Sequence, residues 1–407
     1  MGRHHARTHD YTESRNKLVF IERMPDSVYL ELLKFFKTDY GFINGQRDRM
    51  AEYLIWTGSF PPAVLPSGFS PIAGNLVPLE QKNGFSFAYF DAAVTEQGLR
   101  IVEFQAFPTH SVIAARMNAF LSDRLSLSAA LQFPNDPYAG QENFLGLMKD
   151  IVCGEEEEGI VIVDRNIAGQ KTNFSFYAMR HALGGRAEVV DAAEIFAQGE
   201  QLFYRTGGRI KKVRRFYNRL VPTEAIKEEK YPTASDRLSF RFDRPYKDML
   251  FVNHPCQYFE FSKRLLPYIS DPLNPPCYEL QETAEDFLSG RLNCSQFVWK
   301  DTWGYAGLSN LLVPNREILD RLIRKGQAER YIAQQKIPFE VFRTGDELKK
   351  IVELRFMTVQ SDEKLLVVPM ARIGHAEHNA QGEAVYKVHF GDNTMPGYGF
   401  APVLIFE

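Results

Sequence analysis

The spacing of apolar residues changes along the chain and divides it into regions. Before about residue 80, SVYLELLKFF and RMAEYLIW carry apolar residues at three- and four-residue intervals, which predicts helices. The next runs, GFSFAYFDAAV and GLRIVEFQAF, are rich in aromatic and β-branched residues and are joined by TEQG, so they predict a β-hairpin. The apolar strand GIVIVD then alternates with helical segments and the strand AEVVD, which is typical of a parallel sheet covered on both faces.

The last part of the chain predicts strands on either side of one amphipathic helix, NREILDRLIRKG. The strand-like runs that follow it are VELRFMTV, LLVVPMARIG, YKVHFG and GFAPVLIF. His375 and His378 lie between two of these runs in GHAEHNAQG, whose polar residues favour a solvent loop over a metal site. The pattern therefore predicts a fold of mixed α/β and α+β character.

Composition narrows the classes of partner. With 407 residues and a net charge of −3, the chain carries no broad basic field, so neither nucleic acid nor a membrane is expected as a partner. One basic run, RIKKVRRFYNR, alternates with apolar residues and fits a strand with a solvated face. The cysteines occur singly, which favours thiols in a reducing compartment. No apolar run approaches the roughly 20 residues of a membrane span, and a cytoplasmic location is expected.

Familiar catalytic motifs are absent, so candidate chemistry has to come from charged residues on strands. Lys300 ends an apolar strand in QFVWKDTWGYAGLSNLLVP, and a second apolar strand is expected after the loop. The loop contains Gly304 and Gly307, whose backbone N–H groups could fold over phosphates while the lysine neutralises them. The structural alternative is a strand-end lysine beside an ordinary turn.

Oxygen ligands cluster on the predicted hairpin. Glu103 and Gln105 share one face because side chains alternate along a strand, and Asp91 lies across from them on the neighbouring strand. Carboxylate and amide oxygens grouped in this way suit Mg²⁺ that bridges nucleotide phosphates. A solvated hairpin face would give the same residues.

Two arginines and two glutamines stand in strands near the end of the chain. Arg355 and Arg372 would repel each other on adjacent strands unless an anion lay between them, and pairing with Glu353 or Glu377 is the structural alternative. Amide groups in ERYIAQQKIPF, at Gln334 and Gln335, could read the edge of an adenine, although a polar edge strand would look the same.

Taken in order, these segments resemble an ATP-grasp enzyme of the circularly permuted branch that includes the synthetase domain of glutathionylspermidine synthase. In that branch the metal strands precede the phosphate-binding lysines. FDAAV and VEFQAFPT look like the metal strands, FEFSKRLLPYI followed by NPPCYEL like the first lysine helix, and VWKDTWGYAG like the second lysine with its loop. YIAQQKI resembles the hinge strand, and ELRFMTV, PMARIG and GFAPV resemble the closing strands.

The resemblance implies a glutathione-synthetase-like, circularly permuted ATP-grasp fold with a parallel, Rossmann-like pre-grasp unit. Its expected regions are a helical N-terminal region (1–84), the metal-strand part (85–140), the pre-grasp unit (141–235) and the ATP-grasp lobes (236–407). Its implied cofactors are ATP and Mg²⁺. ATP would be bound by Lys263, Lys300, Gly304, Gly307, Gln334 and Gln335, Mg²⁺ by Asp91, Glu103 and Gln105, and the transferring phosphate by Arg355 and Arg372.

The chain departs from the family pattern at three positions. Gln105 stands where asparagine is usual, Tyr89 where the synthases have an arginine, and Asp301 where a proline follows the lysine. An amide one methylene longer can still ligate Mg²⁺. The missing arginine removes a donor to the transferring phosphate, a loss that bears on catalysis more than on nucleotide binding.

The function implied is an ATP-dependent carboxylate–amine ligase that acts through an acyl phosphate on small-molecule acid and amine substrates. Arg219, in the basic run of the pre-grasp unit, is the expected contact to an acidic substrate. Two other classes stay open. One is an ATP-binding protein that has kept the grasp and lost turnover, and the other is a kinase-like phosphotransferase that stops at a phosphorylated product.

Overall fold

The computed structural model describes residues 86–107, 109–116, 141–170, 173–221, 238–241, 246–255, 257–304, 310–343, 349–361, 365–378, 382, 384–388 and 399–401. The helices expected before residue 85 lie outside these ranges, as does Gly307. None of the helices in the described ranges is long and apolar enough to cross a bilayer.

The largest sheet joins strands from distant parts of the chain. The predicted hairpin is confirmed as β1 (Phe87–Thr95) and β2 (Gly98–Ala106). β1 also pairs antiparallel with β14 (Lys349–Gln360), which pairs with β15 (Leu365–His378). The sheet order is β16-β15-β14-β1-β2, so β2 is an edge strand of the sheet that the described residues form. The remaining members are β13 (Phe342–Arg343), β16 (Ala384–Lys387) and β17 (Gly399–Ala401).

The predicted parallel sheet is also confirmed, and its continuous apolar strand explains why. β3 (Ile160–Asp164) pairs parallel with neighbours on both sides, and the side chains of residues 160–163 are fully buried. α1 (Gln141–Cys153) and α2 (Phe174–Ala182) contribute to the core around it. The other strands are β4 (Ala187–Asp191), β8 (Arg215–Asn218) and β9 (Leu250–Phe251), in the order β4-β3-β8-β9. β9 comes from the segment that the sequence assigns to the ATP-grasp lobes.

A small antiparallel sheet, in the order β10-β12-β11, carries Lys300. Its strands are β10 (Cys277–Glu279), β11 (Phe297–Asp301) and β12 (Tyr331–Gln335). Two helices add residues to its core, α4 (Ala284–Ser289) and α5 (Arg316–Arg324), and the N-terminus of α5 is capped by Asn315. The chain enters this sheet through α3 (Gln257–Glu260) and the 3₁₀ segment Lys263–Tyr268.

The basic run splits between two sheets instead of forming one strand. Its first half is β7 (Arg209–Lys212), which follows β5 (Ile195–Gln198) and β6 (Gln201–Thr206) in a separate antiparallel sheet. Its second half is β8. Lys211 pairs with Glu188 at 2.6 Å and Lys212 with Asp248 at 2.5 Å, so these lysines are neutralised by carboxylates of the chain itself.

The largest sheet is packed on both faces. One face carries Phe87 and Met357 into a core shared with α1 and the parallel sheet. The other face carries Phe90 and Phe356, whose stacked rings lie 4.8 Å apart, into a core shared with the 3₁₀ segment and the small sheet. Polar groups on the central strands therefore have to find partners inside the protein.

Two expectations from the sequence are wrong, one for the histidines of β15 and one for the segment that follows the lysine loop. His375 and His378 lie in β15 and not in a loop, because β15 continues to pair with β16 as far as His378. The second apolar strand after the lysine loop is reduced, in the described residues from 310 on, to one bridge between Leu311 and Trp299. Neither cross-strand pairing can be read from local composition.

Arg215 connects β8 to the C-terminal end of α1. Its Nε donates to the carbonyl of Val152 at 2.8 Å and its Nη2 to that of Ile151 at 2.6 Å, so a cation meets carbonyls that a helix end leaves unpaired. We expect R215M to lower the free energy of unfolding by about 2–3 kcal/mol, because charge-assisted hydrogen bonds are lost. Urea denaturation measures this loss. The exposed Arg209 supplies a control, R209M, and equal stability of the two variants would contradict the assignment.

Candidate functional site

Two buried lysines meet at the edge of the largest sheet. Lys300 is 7% exposed, and its Nζ donates to the carbonyl of Val102 in β2 at 2.8 Å. Lys263 is 3% exposed, and its Nζ donates to the carbonyl of Gly304 at 2.5 Å and lies 3.4 Å from Glu103 Oε2. Both ammonium groups therefore lie beside β2, although both lysines are far from β2 in the sequence.

A β-bulge explains why β2 can receive Lys300. The register between β1 and β2 shifts after Asp91, which pairs with Glu103, whereas Ala92 pairs with Ile101. Val102 is thus the extra residue of the bulge, and its carbonyl accepts from Lys300. The neighbouring carbonyl of Ile101 accepts from the side-chain amide of Gln334 at 2.9 Å. Polar side chains of the small sheet thereby cover an edge strand of the large one.

Asp301, which stands in place of a proline, has a clear local role. Its Oδ1 accepts the backbone N–H of Trp303 at 3.1 Å, and its Oδ2 pairs with Arg330 at 2.8 Å. The carboxylate therefore shapes the turn directly after Lys300. A proline could make neither contact.

Gly304 lies at the end of this turn, where its carbonyl oxygen accepts from Lys263. In the hinge strand, Gln334 is buried, whereas Gln335 is exposed. The side chains of Gln334 and Gln335 therefore point to opposite sides of β12.

A buried ion-pair cluster lies one strand further in. Arg355 in β14 grips Asp91 with two hydrogen bonds, Nε to Oδ1 at 2.7 Å and Nη2 to Oδ2 at 2.6 Å. Arg372 in β15 donates to the same Oδ2 at 2.8 Å and also pairs with Glu353. Asp91 is 0% exposed. The anion that the two arginines require is thus the carboxylate of Asp91, with Glu353 as a second partner.

The two unusual residues of the hairpin contact each other. Tyr89 and Gln105 are cross-strand partners, and the tyrosine Oη donates to Gln105 Oε1. Gln105 Nε2 in turn donates to Glu103 Oε1 at 2.9 Å. The guanidinium of Arg355 lies 4.0 Å from the centre of the Tyr89 ring, which adds a cation–π contact. Burial raises the pKa of Tyr89 above its usual value, so the phenol stays protonated and keeps donating.

In this arrangement, the oxygens predicted to hold Mg²⁺ are bonded to groups of the protein itself. Asp91 is bound by two guanidiniums, and Glu103 and Gln105 are bonded to each other. At an effective dielectric of about 20, a divalent cation about 5 Å from one guanidinium is repelled by roughly 7 kcal/mol. Within the described residues, no group of three or more His, Cys, Asp or Glu side chains is placed to hold a metal.

Arg219 follows β8 at the carboxyl end of the parallel sheet, where such sheets bind ligands. Its Nη1 donates to the carbonyl of Phe107, in the loop after β2. Phe107 and His110 in this loop have φ values of 62° and 69°, a conformation that costs energy for residues other than glycine. Arg355 Nη1 reaches the same loop at Thr109 Oγ1, 3.4 Å away.

His110 is held neutral in this surrounding. Burial, together with the charges of Arg355, Arg219 and Arg372, lowers the pKa of His110 to about 3. His110 therefore lies among three arginines, and no pattern in the sequence indicated this role. The only local signal is FPTH, and its left-handed conformations cannot be read from residue types.

Lys300 has the most strongly shifted lysine pKa among the described residues. The pKa of Lys300 is lowered to about 8, because burial outweighs the raising effect of Glu103 and the charge of Lys263 adds to the lowering. A group this deeply buried is charged at neutral pH only at a cost in stability. An anion bound beside it would offset that cost.

The comparisons with known proteins add little to this geometry. No family model matches the chain, and no curated protein matches it. Among solved structures, a glutathione synthetase-like effector from Globodera pallida, in its apo form, aligns with a TM-score of 0.44 and 11% identity over 91% of this chain and 99% of that chain. A similarity this weak carries no conclusion about activity. The sheets themselves confirm the mixed α/β class, whereas the ATP-grasp assignment and its circular permutation stay predictions.

The buried charge of Lys300 should lower the stability of the protein in the absence of a ligand. Between pH 8 and 10.5 the unfolded chain keeps a proton that the folded chain has lost, so Lys300 makes stability rise with pH across that window. We expect K300M to raise the free energy of unfolding at pH 7 by about 1–3 kcal/mol, because a desolvated charge is replaced by an apolar side chain. Urea denaturation from pH 7 to 10 measures both effects, with the exposed K325M as control. If Lys300 only covered the edge strand, K300M would be destabilised instead.

Proposed function

We propose that the chain is an ATP-grasp-type protein that binds ATP beside β2 and uses it to join a carboxylate to an amine. The observation that carries the proposal is the meeting of Lys263 and Lys300, two buried ammonium groups, at one sheet edge. Among the described residues, Glu103 is the carboxylate in contact with them, at 3.4 Å from Lys263, so two cations share about one counter-charge. A polyphosphate would supply the missing negative charge.

The residues around the lysines would divide the ligand between them. The turn at Gly304 would bring backbone N–H groups to the phosphates, and Gly307 is expected to do the same. The side-chain amide of Gln334, which donates to the carbonyl of Ile101, and the backbone of the exposed Gln335 would approach the adenine. Arg219, at the carboxyl end of the parallel sheet, would meet the acidic substrate.

The ligase reaction would run in two steps. A carboxylate oxygen of the acid attacks the γ-phosphorus of ATP, and the bond from this phosphorus to the bridging oxygen breaks. ADP departs, and the acid has become an acyl phosphate. The amine nitrogen then attacks the acyl carbon, phosphate leaves, and the nitrogen loses a proton to solvent. Catalysis of this kind depends on positioning and charge, which Arg355 and Arg372 would supply at the transferring phosphate, and it needs no nucleophilic side chain.

One observation favours a second candidate, an ATP-binding protein without turnover. The acid, the amide and the arginines that would surround the transferring phosphate are bonded to one another, through Asp91, Arg355 and Arg372 on one side and Tyr89 with Gln105 on the other. A cluster that is already satisfied would have to open before it could follow the charge changes of phosphoryl transfer.

ATP binding should depend on the charge of Lys300. In the presence of EDTA, we expect K300M to weaken ATP binding by at least about tenfold, since a buried cation is lost from its anion. For the wild type, affinity should fall as pH rises above about 8, where unliganded Lys300 loses its proton. Isothermal titration calorimetry at pH 7, 8 and 9 measures both effects. Unchanged ATP affinity in K300M would contradict the site. So would an ATP affinity that changes with pH in the same way in K300M and in the wild type.

The reaction itself is tested by trapping its intermediate. With ATP, Mg²⁺ and a pool of amino acids, short peptides and polyamines, the ligase proposal expects phosphate release that needs both an acid and an amine. Hydroxylamine should replace the amine and give a hydroxamate. ATP binding without phosphate release supports the second candidate, and a hydroxylamine-resistant phosphorylated product supports a phosphotransferase.

A further inference from the structure

Asp91 is placed for a role other than metal binding. We propose that Asp91 is a positioning residue that fixes Arg355 and Arg372 as one cationic unit, and that it does not ligate a metal. The anion that this unit would face rests on the proposed function, whereas the ion-pair geometry does not. The proposal departs from the sequence expectation that Asp91 holds Mg²⁺.

The geometry around the Asp91 carboxylate fixes the position of Arg355. Asp91 and Arg355 are register partners on β1 and β14, and two parallel hydrogen bonds fix the guanidinium in the plane of the carboxylate. The Tyr89 ring lies 4.0 Å away against one face of that guanidinium, and Thr109 lies 3.4 Å from its remaining nitrogen, Nη1. Arg355 is therefore held at its edge, its face and its far end.

The charges around Asp91 balance without a metal ion. Asp91 and Glu353 carry −2 together and Arg355 and Arg372 carry +2, so the cluster of these four residues sums to zero without any ion. A divalent cation on Asp91 would leave this buried cluster at +2. The same ion would have to compete with guanidinium hydrogen bonds of 2.6–2.8 Å on a carboxylate that is 0% exposed.

Asp91 is linked to two residues at which the chain departs from the pattern that it resembles, Tyr89 and Gln105. Tyr89 contacts both Arg355 and Gln105, so the hydrogen bonds of the hairpin and the ion pairs of the closing strands meet at one ring. Tyr89 and Gln105 thus complete a network in which Asp91 orients arginines. The departures form one arrangement instead of two separate losses.

The two roles of Asp91 predict different metal dependence. A metal ligand would make D91N weaken ATP binding with Mg²⁺ and leave it unchanged in EDTA. As a positioning residue, Asp91 should make D91N weaken ATP binding by a similar factor, about tenfold, in both buffers. Calorimetry with ATP measures this factor. D286N is the matched control, because Asp286 pairs with Arg291 in an exposed ion pair, and its ATP affinity should equal that of the wild type.

The wild-type protein supplies a readout that needs no variant to fold. In ¹⁵N NMR spectra of the arginine side chains, the Nε–H of Arg355 should show the shift of a donor to carboxylate, and the shift should stay when Mg²⁺ is added alone or with a non-hydrolysable ATP analogue. Release of the Arg355 signal to the position of a free arginine on adding Mg²⁺ would overturn the proposal.

A double variant separates positioning from general damage. D91N alone leaves Arg355 buried without its carboxylate partner. The thermal midpoint of the D91N protein should therefore fall by roughly 5 °C or more. D91N/R355Q removes both charges and should recover at least about half of that fall. No recovery would contradict the pairing. If the wild type fails to bind ATP, the proposed function fails, while the NMR signal and the double variant still decide the role of Asp91.

Discussion

Arg355 and Arg372 can lie inside the largest sheet because the carboxylate of Asp91 lies between them. A guanidinium buried without a partner would destabilise the fold by several kcal/mol, and two on adjacent strands would also repel each other. Asp91 binds both, and Glu353 binds the second. Burial lowers the pKa of Arg355, but Asp91 and Tyr89 outweigh burial and raise it above its usual value. The hairpin β1–β2 is thereby tied to strands that follow it by more than 240 residues.

The edge of this sheet has a different electrostatic character. The cluster at Asp91 is balanced, whereas Lys263 and Lys300 beside β2 have only Glu103 as a contacting carboxylate in the described structure. The bulge at Val102 brings Lys300 to the backbone of β2, and the 3₁₀ segment brings Lys263 to Glu103 and to the turn at Gly304. A negative ligand is therefore expected at the edge, and the arginines next to it are held in place by the protein itself.

Much of the fold follows from local pattern. The hairpin, the apolar strand β3 and the strands that carry Lys300 and Gln334 were all predicted, since alternation and continuous apolar runs reflect burial on one or both faces. The sequence also showed that Arg355 and Arg372 need an anion. From the sequence, the candidate carboxylates were the nearby Glu353 and Glu377, because nothing local shows that β1 lies beside β14.

The parts that could not be predicted depend on pairing between distant segments. The contact of Tyr89 with Gln105 and the bulge at Val102 arise from the register of two strands. Asp301 could be seen as a departure, but Arg330, its partner, lies on a later segment. His375 belongs to β15 because β16 pairs with it, and not because of its own neighbours. Local motifs thus pointed to charged and amide residues on strands, while register decided what each one contacts.

The central claim is that a triphosphate binds at the lysine edge while Asp91 stays with its arginines. A crystal structure with a non-hydrolysable ATP analogue and Mn²⁺, with the metal located by its anomalous scattering, tests this most directly. The account predicts phosphate oxygens about 3 Å from Nζ of Lys263 and Lys300, and Asp91 still bonded to Arg355 with no manganese within about 2.5 Å of it. Nucleotide bound elsewhere, or manganese on Asp91, would contradict it.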